Sequence, residues 1–226
     1  PRVNKSVNGY FICDEGRLSY KNESENRFET PLLNKIETSL NTIIANLFKD
    51  LTTNKNILFV LSANLSYEEM LNIKNLASKL NAKVSGYSPN TFDGSFEDDY
   101  LRTSDKTANR TSFKELEIDE TKEYFETNLN NSSLIVIIEN SYFDTNKKLL
   151  ENKKVISLFS HKNSTNEYSN IAIPVASFYE KSGTYTNKDG IKQKIISKIA
   201  KNNPQDTITS IIEHLKSMIE KGTLWV

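Results

Sequence analysis

The polar loop that follows Pro174 has the residue types of a binding site. Its segment runs from Ile171 to Gln193 and reads IAIPVASFYEKSGTYTNKDGIKQ, an apolar run followed by glycines and hydrogen-bonding side chains. Because proline has no N–H for the ladder, a strand through Pro174 must lie at a sheet edge or stop there. Strand ends are where α/β proteins usually bind ligands. The sequence therefore predicts that a strand end delivers this loop.

Two other segments are equally rich in polar and glycine residues. VNGYFICDEGRLSY runs from Val7 to Tyr20 around Cys13, and DDYLRTSDKTANR runs from Asp98 to Arg110. In this order, the three segments resemble signatures of the large iron-sulfur subunit of bacterial NADH:quinone oxidoreductase, respiratory complex I, and of the related molybdopterin oxidoreductases. The first resembles V-N-x-x-x-x-C-D-x-G-R, and the third resembles V-L-P…E-K-x-G-T-x-x-N-x-E-G-R-x-Q. The intervals between them are much shorter than in that family.

The resemblance implies a metal role for Cys13. In the family, the matching cysteine is the fourth ligand of a 4Fe-4S cluster, which needs soft thiolate sulfur. The other three ligands would lie upstream, and this chain has one cysteine in total. We therefore expect no cofactor in this chain, and a 4Fe-4S cluster only in a longer protein.

The resemblance also implies that Gly183, Asn187, Gly190 and Gln193 form a vestigial cofactor-binding loop on the pterin side. Glycine allows close approach of the backbone, and the amide side chains can hydrogen-bond a purine or pterin edge. The chain has Ile191 where the family has arginine, which removes a cation for phosphate or pterin. The alternative interpretation is structural, with side chains such as Glu180, Thr184 and Asn187 capping and bracing the turn.

Composition limits the function classes. The 226 residues contain 29 Lys and Arg against 29 Asp and Glu, which gives no electrostatic attraction to nucleic acid. No apolar run approaches the roughly 20 residues that cross a bilayer. The single cysteine excludes an internal disulfide and fits a reducing, cytoplasmic setting. Because the chain begins at Pro1, we expect it to be part of a longer polypeptide.

The apolar pattern alternates between strands and helices. It predicts an α/β fold with a Rossmann-like, mostly parallel sheet flanked by helices and a small extended N-terminal arm. The arm, or fragment of the iron-sulfur subdomain, would span residues 1–30, and the molybdopterin-oxidoreductase-like α/β domain residues 31–226. The predicted strands are Ile57 to Ala63, Ala82 to Val84, Ser133 to Glu139, Val155 to Phe159 and Ile171 to Val175. The predicted helices are one opening at Pro31, one opening at Ser66 with a capping box, Glu115 to Asn130, and Gln205 to Lys221.

Other catalytic patterns are weak. The loop after Ile57 to Ser62 carries neither G-x-G-x-x-G nor G-x-x-x-x-G-K. Ser160 and His161 are adjacent, but the chain lacks the nucleophile-elbow motif G-x-S-x-G, and both His161 and His214 are predicted to be solvated surface residues.

Two functional hypotheses follow. The first is a non-catalytic scaffold, or an electron-transfer-supporting domain, of the complex I subunit, derived from a molybdopterin oxidoreductase that lost its cofactor. Its partners would be other subunits of the respiratory complex, with no nucleic acid and no direct membrane insertion. The domain would be cytoplasmic and peripheral to the inner membrane.

The second hypothesis is an independent nucleotide- or pterin-binding redox module. The module needs a deep pocket at the carboxyl ends of two strands, Ile57 to Ser62 and Leu134 to Glu139. In a scaffold, side chains would fill the crevice at the same place. The scaffold would dock through its N-terminal arm, Pro1 to Arg27.

Overall fold

The computed structural model describes residues 3–6, 8–12, 14–197 and 207–221. In chain order, the strands are β1 (Leu32–Leu33), β2 (Ile36–Glu37), β3 (Ile57–Leu61), β4 (Lys83–Ser85), β5 (Leu134–Ile138), β6 (Lys154–Phe159), β7 (Ile171–Pro174), β8 (Gly183–Thr186) and β9 (Lys192–Ile195). The α-helices are α1 (Asp14–Leu18), α2 (Leu40–Thr53), α3 (Tyr67–Lys79), α4 (Thr111–Glu115), α5 (Lys122–Asn131), α6 (Tyr142–Thr145), α7 (Ser164–Tyr168) and α8 (Ile208–Lys221). Short 3₁₀ turns occur at Ser19–Asn22, Pro89–Thr91, Lys147–Leu150 and Phe178–Glu180.

The main sheet has the spatial order β2-β1-β7-β6-β5-β3-β4. Strands β4, β3, β5, β6 and β7 are parallel, while β1 is antiparallel to both β7 and β2. A separate antiparallel hairpin is formed by β8 and β9. These pairings confirm the predicted α/β fold with a mostly parallel sheet.

The central strands are buried on both faces because helices cover each side of the sheet. Side chains of β3 alternate between two apolar clusters: Ile57, Phe59 and Leu61 join one, and Leu58 and Val60 join the other. The first cluster includes residues of α2, α3 and α8, and the second includes residues of α5 and α6. This three-layer packing is why ILFVL and LIVII read as continuous apolar runs.

Two local predictions were wrong. The helix expected to open at Pro31 begins at Leu40, where the Ser39 side chain accepts a hydrogen bond from Thr42 N–H. Leu32 and Leu33 instead pair with β7, and positive φ angles at Asn34 and Lys35 turn the chain back. Similarly, the helix expected over Glu115 to Asn130 divides into α4 and α5.

The N-terminal region is short, as predicted. It contains a bridge between Asn4 and Gly9, followed by α1 and the 3₁₀ turn of Ser19–Asn22. The division of the chain at residue 30 stays a prediction.

Pro174 ends β7 but does not lie at a sheet edge. Strand β7 runs between β6 and β1, and Pro174 pairs with Phe159 as its last residue. Of the two positions that the sequence allowed, termination of the strand is the one observed.

The capping box at Ser66 is confirmed, because its side chain accepts from Glu69 N–H while the Glu69 carboxylate accepts from Ser66 N–H.

Candidate functional site

The three segments that the sequence singled out line one cleft of about 800 Å³. Asn8 and Ile12 come from the first segment, Tyr100 to Arg110 supply one wall from the second, and the hairpin turn at 187–189 comes from the third. Segments that are far apart in sequence thus meet at one place on the surface. This convergence identifies the cleft as a candidate site.

The loop of the second segment is held in shape by Asp98. Its carboxylate accepts backbone hydrogen bonds from Tyr100, Leu101 and Arg102 at 2.9, 2.7 and 3.0 Å, and one from the Arg102 guanidinium at 2.8 Å. These donors stabilise the charged form and hold the pKa of Asp98 far below its usual range. The braced loop presents Tyr100 with 91% of its surface exposed at the rim of the cleft.

Arg110 faces the cleft but is committed to protein partners. Its guanidinium donates to Asp105 at 2.8 Å, to the Thr91 hydroxyl at 2.6 Å, and to Glu120. It also lies 4.4 Å from the centre of the Phe92 ring. Two carboxylates therefore already balance the charge that Arg110 brings to the cleft.

Asn109 connects the second segment to the hairpin, and sequence reasoning missed it. Its side-chain amide donates to the Leu65 carbonyl at 2.8 Å, and its side-chain carbonyl accepts from Thr186 N–H at 2.6 Å and from the Ser112 hydroxyl at 2.8 Å. Asn109 is fully buried. Nothing in the sequence distinguishes this asparagine from the many others, because its partners come from distant parts of the chain.

Of the four residues predicted to face a cofactor, only Asn187 lines the cleft. Its side chain closes the hairpin turn by accepting from the N–H groups of Asp189 and Ile191 at 3.0 and 2.9 Å. Gly190 has φ of +78° in the same turn, and Gln193 is exposed on β9.

Gly183 lies against helix α3 instead of the cleft. A Cβ atom at this position would overlap the Ser66 Cβ. The glycine is therefore needed for close approach of two parts of this chain. Next to it, the Glu68 carboxylate accepts from the N–H and the hydroxyl of Thr184 at 2.8 and 2.6 Å.

Cys13, the predicted cluster ligand, lies outside the described residues. Across the part of the chain that the structure describes, no three or more His, Cys, Asp and Glu side chains are grouped to hold a metal ion. No helix among these residues is long and apolar enough to span a bilayer.

The second place that the sequence indicated is the crevice at the carboxyl ends of β3 and β5. The chain continues from β3 to β4 on one side of the sheet and later returns to β5 on the other, which makes this the topological switch point. Lys181 reaches towards this crevice and pairs with Glu69, its Nζ lying 3.0 and 2.9 Å from the two carboxylate oxygens. The two side chains are only 7% and 3% exposed.

Two further side chains complete the filling of the crevice. Glu139 follows β5 directly, and its carboxylate accepts from Ser160 N–H at 2.7 Å. Asn140 donates to the carbonyls of Leu61 and Tyr87 at 2.9 and 3.1 Å, joining the end of β3 to the loop after β4. The switch point is therefore occupied by internal contacts of this chain.

Burial determines the electrostatics of this cluster. Desolvation raises the pKa of Glu139, and the charge of Lys181 and the hydrogen bonds from Ser160 only partly oppose it. Desolvation, followed by the nearby carboxylates of Glu69 and Glu68, also raises the pKa of Tyr185. The neutral forms of Glu139 and Tyr185 are thus favoured relative to the same groups in water.

His161 was predicted to be solvated, and this prediction was wrong. It is partly buried, with Nδ1 2.9 Å from the Ser160 hydroxyl and Nε2 3.2 Å from the Glu23 carbonyl. His214 is exposed on α8, as predicted. The contacts of His161 fix the position of its ring between β6 and the N-terminal arm.

Comparisons with known protein families match part of this chain. The family model described as molybdopterin oxidoreductase matches residues 143–207, which include β7, the hairpin and Lys181. No curated protein matches the chain. A chain of the formyltransferase/hydrolase complex (FhcABCD) from Methylorubrum extorquens, solved in complex with methylofuran, is similar at a TM-score of 0.45 and 8% identity, covering 85% of this chain and 99% of that chain. The resemblance to molybdopterin oxidoreductases is therefore confirmed for residues 143–207.

The residues at the switch point do not fit a pterin. Lys181, Glu69 and Glu139 already occupy the crevice, and Gly183 packs on Ser66. Position 191, where the family has arginine, is isoleucine. The side chains of this crevice therefore do not support pterin chemistry.

Proposed function

We propose that this chain is a non-catalytic scaffold, or an electron-transfer-supporting domain, of the large iron-sulfur subunit of a respiratory NADH:quinone oxidoreductase. The proposal rests chiefly on the switch point, where the buried side chains of Lys181 and Glu69 form an ion pair within this chain. The match of residues 143–207 to molybdopterin oxidoreductases supports a redox-family origin. Such a domain keeps the sheet, while its own side chains fill the crevice where a ligand would bind. It is therefore suited to a structural role, in which it holds other parts of an assembly.

The subunit assignment is supported by the first sequence segment. Cys13 would supply one thiolate to a 4Fe-4S cluster, and three cysteines from a longer polypeptide would complete it. The N-terminal arm would carry this connection, since Tyr10, Phe11 and Tyr20 expose between 56% and 69% of their surfaces. In this proposal, the domain is cytoplasmic and is held at the inner membrane through partner subunits.

The cleft of about 800 Å³ supports a second candidate function. An independent nucleotide- or pterin-binding redox module would place its ligand there, with the exposed ring of Tyr100 available for stacking. In that case the hairpin turn at Asn187 and the loop of Asp98 would form opposite walls of the site. The switch point would take no part in binding.

Cofactor analysis of the purified protein separates the two functions. We would measure molybdenum, tungsten and iron by elemental analysis, and released pterin by fluorescence. The scaffold proposal expects molybdenum, tungsten and pterin to stay below about 0.1 mole per mole of protein, because a site without affinity retains only traces of ligand. Iron is expected only where the upstream cysteines of a longer polypeptide complete a 4Fe-4S cluster with Cys13. Stoichiometric pterin, molybdenum or tungsten would contradict the scaffold proposal and favour the redox module. A Tyr100→Ala variant then identifies the cleft, since binding in the cleft requires that ring and binding elsewhere does not.

The assignment to the respiratory complex needs its own experiment. The tagged full-length protein would be expressed in its native cells, and solubilised membranes would be resolved on a native gel stained for NADH dehydrogenase activity. Migration of the tag with the active band is expected. Migration of all tagged protein as a free species, away from that band, would rule out the assignment while leaving the cofactor result unaffected.

A further inference from the structure

The buried cation at the switch point has an unusual set of neighbours. Lys181 Nζ contacts both oxygens of Glu69, and Glu69 also accepts from Ser66 N–H at 2.8 Å. An ammonium group has three donors and no acceptor, so it requires several oxygen atoms around it when water is removed. Both carboxylate oxygens of Glu69 thus surround one buried ammonium group. The carboxylate of Glu69 is therefore arranged for a cation.

Tyr185 provides a second and independent observation. Its ring is only 6% exposed, and its hydroxyl has no hydrogen-bond partner within the described ranges. Buried hydroxyl groups are normally hydrogen-bonded, and an exception requires an explanation. Tyr185 lies two residues after Gly183 on β8, so the two residues share one face of the hairpin, and Gly183 packs on Ser66 at the start of α3, the helix that carries Glu69. The hydroxyl is thus an additional oxygen available to a small cationic ligand.

The lysine is carried by a segment that is fastened to the domain at both sides. We call residues 176–187 the strap. Before Lys181, Glu180 pairs with Arg27 at 2.6 Å, and after it Thr184 is bonded to Glu68. The cation comes from the chain between β7 and β9, and no residue of the main sheet supplies it.

We infer that the switch point is a binding site for a primary alkylammonium group, and that the chain fills this site with its own Lys181. The strap acts as a built-in competitor that keeps the site closed. An opened crevice would take an external primary amine with the same charge and the same slender stem. This inference stands on the geometry of the crevice and does not depend on the proposed scaffold function.

Chemical rescue tests the inference. Lys181→Ala removes three methylene groups and the ammonium, and n-propylammonium supplies the same atoms. We expect the Tm of Lys181→Ala to fall by about 10 °C, because the buried carboxylate of Glu69 loses its counter-charge. Propylammonium chloride at 1–100 mM should restore at least half of that loss in a saturable manner. Sodium chloride and 1-propanol at equal concentrations should not.

Three variants serve as controls. Lys188→Ala removes an exposed lysine of the hairpin turn, and its Tm should respond to propylammonium only as much as the wild type does. Lys181→Met keeps an apolar stem in the crevice and should lose stability without rescue. Glu69→Gln combined with Lys181→Ala should lose most of the rescue, since the main acceptor is gone. An equal response of Lys181→Ala and wild type, or rescue of Lys181→Met, would overturn the inference.

A measurement on the wild-type protein covers the case in which Lys181→Ala does not fold. Acetylation by a water-soluble active ester, followed by mass spectrometry, reports how accessible each amine is. Lys181 should react at least tenfold more slowly than Lys188, on the order of the protection that a buried ion pair provides. Equal rates would show that Lys181 is not seated in the crevice, and the inference would fail.

Discussion

At the scale of single residues, the glycines of the third segment show how a binding-loop pattern can serve internal packing. Gly183 and Gly190 both lie in a stretch that resembles a cofactor loop. The structure gives one of them the close approach to Ser66 and the other a left-handed turn. The same chemical property, absence of a Cβ atom, thus supports close packing at Gly183 and a left-handed turn at Gly190.

Gly183→Ala tests this packing role. The added Cβ atom would overlap the Ser66 Cβ, so we expect a loss of about 1–3 kcal/mol in the free energy of unfolding. Urea denaturation followed by circular dichroism measures it. Gly94→Ala is the matched control because nothing lies within 4 Å of a Cβ there, and its effect should stay within about 0.5 kcal/mol. Equal effects of the two substitutions would contradict the packing role.

At the scale of elements, the strap is held to the N-terminal arm and to helix α3 by carboxylates with shifted pKa values. Desolvation raises the pKa of Glu180, but hydrogen bonds from Ser177 and the charge of Arg27 outweigh it, so the net pKa lies below 4.5. Desolvation of Glu68 is likewise outweighed by its two hydrogen bonds from Thr184. Both carboxylates therefore bind protons less readily in the folded protein than in the unfolded chain.

The consequence is a loss of stability in acid. A group with a lowered folded pKa stabilises the protein above its unfolded pKa, and this contribution disappears as pH falls through the folded pKa. We expect the free energy of unfolding to decrease below pH of about 4.5, and Glu180→Gln to be less stable at pH 7 with a flatter acid decline. Urea denaturation at pH 3 to 7 measures both. Parallel curves for wild type and Glu180→Gln would refute the linkage.

The pKa of Glu139 is shifted upwards, opposite to the shifts of Glu180 and Glu68. Desolvation raises the pKa of Glu139 in the folded protein. The carboxyl group therefore contributes fully to stability while it is protonated, and this contribution is lost as pH rises through its folded pKa. Glu139→Gln keeps an oxygen for Ser160 N–H but removes the ionisation. It should therefore not show the loss at pH 7 that Glu180→Gln shows.

At the scale of the whole molecule, stability is concentrated in the middle of the sheet. All five residues of β3 and all five of β5 are buried, whereas α1 and the 3₁₀ turn after it lie on the exposed arm. Local opening is easiest where few buried contacts must be broken.

Hydrogen exchange tests this distribution. Amides of β3 and β5 should exchange last and together, and those of residues 14–20 first, as measured by mass spectrometry after deuterium labelling. Binding of a partner subunit to the arm should then slow exchange at residues 14–20 specifically. Uniform exchange over the arm and the central strands would contradict this prediction.

The sequence by itself determined the layers of the fold and the segments that meet at the cleft. Continuous apolar runs predicted β3, β5 and β6, and Ser66 with Glu69 predicted the start of α3, because burial and capping are local consequences of residue type. Only the tertiary structure decided that Lys181 fills the switch point, that Asn109 joins three distant segments, and that Leu32 and Leu33 form a strand. These outcomes depend on partners more than 40 residues away in sequence, and side-chain spacing carries no information about which distant groups will face one another.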